Sequence, residues 1–285
     1  MPNACNCYVI FLYRFNFLLL LISFKAISKN IFYINFMSKS SDEKKFSHVS
    51  YECGYMRVIV KVISDYYKGN ISDRKILDMP AGNGWVADTL SGMGAITVPA
   101  DFNDERKDYL HVNMEQALPF ADKEFDCVVC AEGIEHILRP EALIGELARV
   151  LKNNGLLIIS TPNVQNFFSR YQFACTGYPY QFHPFHLTPP DKGEIIDRGH
   201  ISPVLYTQLR YFAKLHGLKV LKPDGDRYKR MIGLPFYWPF ILIGYWWVSR
   251  DWKREGNDES KEIIEHLFNM KTLFSRSLVF KAVKL

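Results

Sequence analysis

The chain lacks a decisive charge of either sign. Its 35 Lys and Arg stand against 30 Asp and Glu, a formal +5 over 285 residues. A surface built to neutralise a phosphate backbone carries far more, so no nucleic-acid partner is expected. Cysteine is also scarce. Six residues in a chain of this length do not make a disulfide framework. Cys127 and Cys130 have C-x-x-C spacing, but they lie inside the apolar run FDCVVC. Extended backbone sends such a pair to opposite faces, so they read as two buried thiols in a reducing compartment. Nothing points to global disorder either. The charged fraction is 23% against 48% hydrophobic, the balance of a chain with a full core. No internal repeat is visible.

What is present begins with a hydrophobic stretch at 8–24, YVIFLYRFNFLLLLISF, interrupted by Arg14 and Asn16. Three readings fit it: a membrane anchor, a signal peptide without a small-residue cleavage site, or sequence upstream of the true start. Met37 opens the polar MSKSSDEKK and suits an initiator. Residues 1–36 are therefore set apart from a folded region at 45–285.

From Tyr51 the pattern turns globular. Residues 53–67 have helical spacing, and KILDM at 75–79 reads as a strand closed by Pro80. A helix at 84–91 and strands at 95–101 and 125–130 follow. Pro140 opens a helix that Gly155 is expected to end with a left-handed cap. LLIIST at 156–161, a Pro-started helix at 203–216, LKVLK and the closing SLVFKAVKL complete the order. Strands alternating with helices predict an α/β fold with a largely parallel sheet and helices on both faces.

Asp78-Met79-Pro80-Ala81-Gly82-Asn83-Gly84 joins the first strand to a helix. In an open parallel sheet this is the ligand crevice. A dinucleotide loop would read G-x-G-x-x-G, but Pro80 and Asn83 break that pattern. Asp78 beside a pyrophosphate would repel it, whereas beside a cationic ligand it would not. Asp101 ends the second strand, where a carboxylate accepts both ribose hydroxyls. A cationic, ribose-bearing ligand without phosphates is S-adenosylmethionine.

Over residues 75–161, ILDMPAGNG, PADF, ALPFADKEFDCVV, AEGIEH and ELARVLKNNGLLIISTPN occur in an order that resembles class I S-adenosylmethionine-dependent methyltransferases. The resemblance implies a Rossmann-like seven-stranded sheet with its last strand, SLVFKAVKL, antiparallel. It also implies that Gly82 and Gly84 line the methionine end of the cofactor and that Asp101 holds the ribose, and Asp78 and Pro80 of the same loop are counted with the cofactor-binding residues. Asn113 and Met114 stand where that family places an Asp near the adenine amine. Glu132 is added to the cofactor-side residues.

In A-E-G-I-E-H one helical turn would gather Glu132, Glu135 and His136 on one face. Two carboxylates and an imidazole suit a divalent metal. The segment resembles the E-x-x-E-H of ubiquinone-biosynthesis O-methyltransferases and of small-RNA 3′-end 2′-O-methyltransferases. There it supplies metal ligands, with a further downstream histidine in the RNA enzymes, for which His200 is the candidate here. A metal would hold two acceptor oxygens and lower the nucleophile's pKa. Without one, His136 or His200 serves as general base.

Residues 163–202 form an insertion whose centre, NFFSRYQFACTGYPYQFHPFHLTPP, is rich in aromatics and includes His183 and His186. It reads either as a substrate cover for a sugar or ring or as a small apolar subdomain. Its order of S-T-P-N-V, T-G and H-I-x-P resembles bacterial methyltransferases associated with cell-surface polysaccharide synthesis. That implies a glycan or glycan-precursor hydroxyl as acceptor. The alternatives are a small aromatic or quinone-type acceptor, or a non-catalytic protein that binds the cofactor. Residues 231–248, MIGLPFYWPFILIGYWWV, carry no charge and are flanked by Lys229, Arg230 and Arg250. Pro235 and Pro239 are expected to break a straight helix. The segment reads as a membrane-surface patch, a re-entrant hairpin or buried core, in a protein that is cytoplasmic or sits at the membrane surface.

Overall fold

A computed structural model of the chain describes residues 52–103, 106–183, 199–228 and 231–285. The hydrophobic segment 1–36 and His186 lie outside the described residues. Strands β1 (Lys75–Asp78), β2 (Ile96–Asp101), β3 (Leu110–His111), β4 (Phe125–Ala131), β5 (Leu151–Pro162), β6 (Leu218–Gly225) and β7 (Ser277–Lys284) form one sheet in the order β3-β2-β1-β4-β5-β7-β6. Pairs from β3 through β5 are parallel, and β7 runs antiparallel to both β5 and β6. This is the seven-stranded α/β sheet with its last strand reversed. Its two margins differ. β3 has only two residues, whereas β6 carries Lys219, Lys222 and Pro223 and shifts register between Leu221 and Asp224.

Period-two alternation along the central strands divides the core into two layers. Val128 and Cys130 of β4 and Leu157 and Ile159 of β5 pack against helices α3 (Pro140–Val150) and α5 (Tyr206–Leu215). Cys127, Val129, Leu156 and Ile158 face the other way, onto α1 (Gly54–Tyr66) and α2 (Trp85–Gly92). The two thiols are thus buried on opposite faces. Each amphipathic helix contributes a stripe such as Ile59 and Ile63, or Leu143, Ile144 and Leu147. A fully buried side chain of this kind contributes about 1.5–3 kcal/mol.

Two expectations are corrected. Helix α3 ends at Val150, not at Gly155, because Val150 and Leu151 are both buried and Leu151 already pairs with Phe125. Cys127 then pairs with Leu156, so residues 152–155 bulge. There Asn154, not Gly155, takes the left-handed φ of 60°, which Asn tolerates better than most residues.

The aromatic insertion contains a helix, α4 (Phe167–Thr176). It starts at Asn166, whose Oδ1 accepts the Ser169 N–H (2.9 Å), and stops at Gly177 with φ 78°.

The second correction concerns 231–248. After a short 3-10 turn, the segment forms a continuous helix, α6 (Leu234–Glu255), of 22 residues. Pro235 lies in the first turn, where its missing N–H is no loss, and Pro239 forgoes one bond near that same end. Neither the hairpin nor the buried core is formed. Ile241 is buried with Leu273 and Phe274, but Phe236, Phe240 and Trp247 are 77%, 68% and 64% exposed. No helix among the described residues is long and apolar enough to cross a membrane. Helices α7 (Asp258–Leu267) and α8 (Met270–Phe274) return the chain to β7.

Candidate functional site

The carboxyl ends of β1, β2, β4 and β5 converge on one rim of the sheet, and the residues singled out above gather there. The loop after β1 turns on Gly82 (φ 53°) and Gly84 (φ 81°), backbone that other residues rarely adopt. Pro80 closes its inner side against Gly133. A Cβ on Gly133 would lie 2.5 Å from Pro80 Cδ and 3.2 Å from Met114 Cε. Glycine loop and A-E-G-I-E-H segment are therefore fitted to each other, a constraint that neither motif shows when read separately.

Asp78 is turned inward. It is 2% exposed, and its Oδ2 accepts the Ala87 N–H (3.1 Å) in the first turn of α2. Burial pushes its pKa well above the usual carboxylate range, and the nearby Asp101 and Asp88 push the same way. A raised pKa works against the standing charge on which a cation would rely. Asp78 ties strand to helix instead.

Asp101, at the end of β2, accepts the Gly82 N–H (2.9 Å) on Oδ2 and the Asn103 N–H (3.0 Å) on Oδ1. The Asn103 side-chain amide donates to the same Oδ1 (3.2 Å). Next to the loop, Arg106 packs over Gly84 between Asp88 (2.7 Å) and Asp108 (2.7 Å). Tyr109 donates its hydroxyl to the Gly82 carbonyl (3.2 Å). Arg106 and Tyr109 went unnoticed in the sequence, because they come from a loop with no motif of its own. Arg106 thus stands between two acids, beside Asp101.

Asn113 closes a local turn by accepting the Glu115 N–H on Oδ1 (2.9 Å). The segment that follows is fastened to α3. Arg149 donates to the Leu118 and Phe120 carbonyls (3.0 and 2.9 Å), and Glu146 accepts the Leu118 N–H (2.7 Å). Met114 packs against the main core.

The four candidate metal ligands separate. Glu132 takes φ 49° and stands outside the 3-10 turn Ile134–His136, so no helical turn gathers it with the others. Its Oε1 accepts the Ser160 hydroxyl (2.6 Å). Burial raises its pKa, against the opposing influence of Ser160 and the Arg276 charge. Glu135, His136 and His200, in contrast, bring ligand atoms within 4.8 Å of one another. Glu135 is fully buried and accepts the Thr161 hydroxyl (3.1 Å). Its backbone carbonyl accepts the Ile201 and Ser202 amides (3.0 and 2.9 Å), which fixes the His200 segment beside it. The His136 and His200 rings meet edge to face at 4.9 Å. His200 Nδ1 lies 2.9 Å from the Gln181 carbonyl. A carbonyl only accepts, so Nδ1 carries the proton and a neutral His200 keeps its lone pair on Nε2.

A second wall of this rim is aromatic. Phe167, Phe168, Tyr180 and Tyr237 line a small cavity with Arg276, and Phe168 meets Tyr180 edge to face at 5.5 Å. Tyr55 of α1 packs against the core layer beneath α1 and α2. Burial and the Glu132 charge raise its pKa. His183 packs against Tyr178 at 5.8 Å, outside the three-residue cluster.

Residues 77–159, from β1 into β5, match the family model of a methyltransferase domain. Three curated proteins are similar to the chain. A demethylmenaquinone methyltransferase of Clavibacter sepedonicus is 34% identical over 110 residues, 33% of this chain and 44% of that protein. A probable S-adenosylmethionine-dependent methyltransferase of Mycobacterium tuberculosis is 28% identical over 184 residues, covering 58% and 63%. A ubiquinone biosynthesis O-methyltransferase of Rickettsia bellii is 31% identical over 127 residues, covering 38% and 50%. The chain spans about half the length of these relatives.

The residues present fit S-adenosylmethionine, which the name of the mycobacterial protein specifies. Gly82 and Gly84 leave the loop backbone without side chains, and the Asp101 carboxylate stands beside it as an acceptor for hydroxyls. Over residues 77–159 the chain thus resembles the methyltransferase domains of such enzymes, and the glycine loop, Asp101, Asn113, Met114 and the A-E-G-I-E-H segment all fall within the matched stretch.

Proposed function

We propose that this protein is an S-adenosylmethionine-dependent O-methyltransferase acting on a hydroxyl of a quinone-type or small aromatic acceptor. The observation that carries the reading is the cluster of Glu135, His136 and His200, with ligand atoms within 4.8 Å, on the rim that also bears the glycine loop. Gly82, Gly84, Asp101, Asn113 and Met114 would hold the cofactor, with the ribose hydroxyls replacing the Asn103 amide at Asp101. The cofactor brings an activated methyl group. The protein has to align an acceptor oxygen behind it and take up a proton. His200, with its lone pair on Nε2, suits the proton, and His136 stands beside it. The names of two of the relatives, which refer to quinones, favour that acceptor class.

The same three residues also suit a divalent cation, one carboxylate and two imidazoles being a chemically apt donor set; with the cation bound, His200 Nε2 is a ligand and the proton leaves to solvent instead. A bound cation would supply charge to lower the pKa of the acceptor hydroxyl. Glu132 is not part of that set. The sugar hydroxyl expected from the aromatic insertion gains no support from these relatives, and residues 184–198 of the insertion are outside the described region.

Calorimetry with S-adenosylmethionine tests the cofactor half of the proposal. Wild type is expected to bind, and Asp101→Ala to lose at least tenfold in affinity. A protein that ignores the cofactor refutes the reading. Radiolabelled methyl transfer to catechol and quinol acceptors, with and without chelator, tests the other half. Label that enters only polysaccharide fractions would reject the acceptor class.

A further inference from the structure

We infer that α6 seats the protein on an anionic phospholipid surface. Along its outward side, Phe236, Phe240, Ile243 and Trp247 succeed one another at spacings of four, three and four, and all are more than half exposed. The same stripe continues into Arg250 and Arg254, with exposed Lys253 beside it. The face is thus apolar for its first three turns and carries three cations in its last, with the acid Asp251, also exposed, beside them. Trp246 joins the two parts, with the Arg250 guanidinium 5.9 Å from its ring centroid.

This graded face matches the edge of a bilayer. Aromatic residues favour the headgroup boundary, apolar side chains the acyl region beneath it, and basic ones the anionic headgroups. A second copy fits poorly. Antiparallel pairing would press Arg250 and Arg254 onto the apolar end of the partner helix, and parallel pairing would oppose like charges. The helix also backs onto the rim. Tyr237 stacks on Phe167 (4.2 Å, 28°), and both line the cavity that contains Arg276. A lipid-soluble acceptor would then approach along α6. That corollary rests on the methyltransferase reading, whereas binding to vesicles does not.

The test is flotation of the full chain with vesicles of phosphatidylcholine alone or mixed with phosphatidylglycerol. Wild type is expected to float with the mixed vesicles. Replacing Arg250, Lys253 and Arg254 with Gln is expected to weaken binding about fivefold per residue, roughly a hundredfold together. Trp246→Glu with Trp247→Glu is expected to leave the protein in the bottom fraction. A reading on unaltered protein accompanies these variants. Four of the five tryptophans, all but Trp85, lie on α6, so brominated lipid is expected to quench most of the fluorescence. The proposal is overturned if wild type does not float or is not quenched. Variants that float like wild type also overturn it, because binding would then belong to another part of the chain such as 8–24. So does a Trp variant that merely converts a dimer to a monomer while wild type ignores vesicles.

Discussion

Replacing Asp78 separates two physical accounts of the glycine loop. The side chain is 2% exposed, accepts one amide from Ala87, and has no cation among the groups that shift it. The amide bond and the amino end of α2 favour the charged form, but burial outweighs them and the pKa is raised. The folded state therefore keeps a proton over a pH range in which the unfolded chain has released it. By linkage, the stability Asp78 contributes is fully present below the unfolded pKa near 4 and declines as pH rises towards the folded value. Each unit of displacement corresponds to about 1.4 kcal/mol. Asn accepts the same amide through its carbonyl and does not ionise. Asp78→Asn is thus expected to match wild type near pH 4 and to exceed it increasingly as pH rises from there towards the folded pKa. Asp78→Ala strands the Ala87 N–H and is expected to cost about 1–3 kcal/mol. In a domain of this size that lowers the melting temperature by roughly 2–4 °C per kcal/mol. Urea titrations of the three proteins at pH 5, 6, 7 and 8 read the difference, and calorimetry reads cofactor affinity, which Asp78→Asn should change less than threefold. An Asn variant that is less stable than wild type at pH 7–8, or that binds the cofactor tenfold more weakly, would show an ionised carboxylate facing the ligand and refute this reasoning.

The remaining expectations are more local. Gly133→Ala should cost about 1–3 kcal/mol by overpacking against the Pro80 ring, seen as a lower denaturation midpoint; an unchanged midpoint would mean that the two segments are not in register. Glu135→Gln should abolish Mn2+ binding in a calorimetric titration while Glu132→Gln preserves it, because only Glu135 stands with the two histidines; the reverse result would restore the four-ligand arrangement. Cys175 is exposed, whereas Cys127 and Cys130 are buried with thiols pushed up in pKa. Cys175→Ser should therefore remove one fast equivalent from a native thiol titration, and serine at either buried position should remove none.

Much of the architecture was legible because burial leaves a periodic trace. FDCVVC and LLIIST are apolar on both faces and could only be central strands, and the paired clusters on their two sides bear this out. β3 left no trace, since Leu110 and His111 are two exposed residues whose pairing is set by their neighbours. Gly155 misled because a helix can run directly into a strand when the next residue is already buried. Pro235 and Pro239 misled because proline breaks helix interiors, and both fall near the amino end. At the rim, residue types could be read but orientation could not. Asp78 and Glu132 were the right kind of residue, yet one turns to Ala87 and the other to Ser160. Arg106, Tyr109 and Arg149 act across long sequence separations, and no local pattern announces such contacts.

The margins of the sheet bear on how this protein behaves at high concentration. An open strand edge is a template onto which another chain can add its own backbone. Here one border offers only two residues of ladder, too few for lasting cross-strand growth. The other, β6, interposes two lysines, an imino acid without an amide proton, and a kinked register. Fibrillar stacking through the sheet is thereby disfavoured at both ends, so any clumping of the purified chain should be sought on its surfaces and respond to detergent.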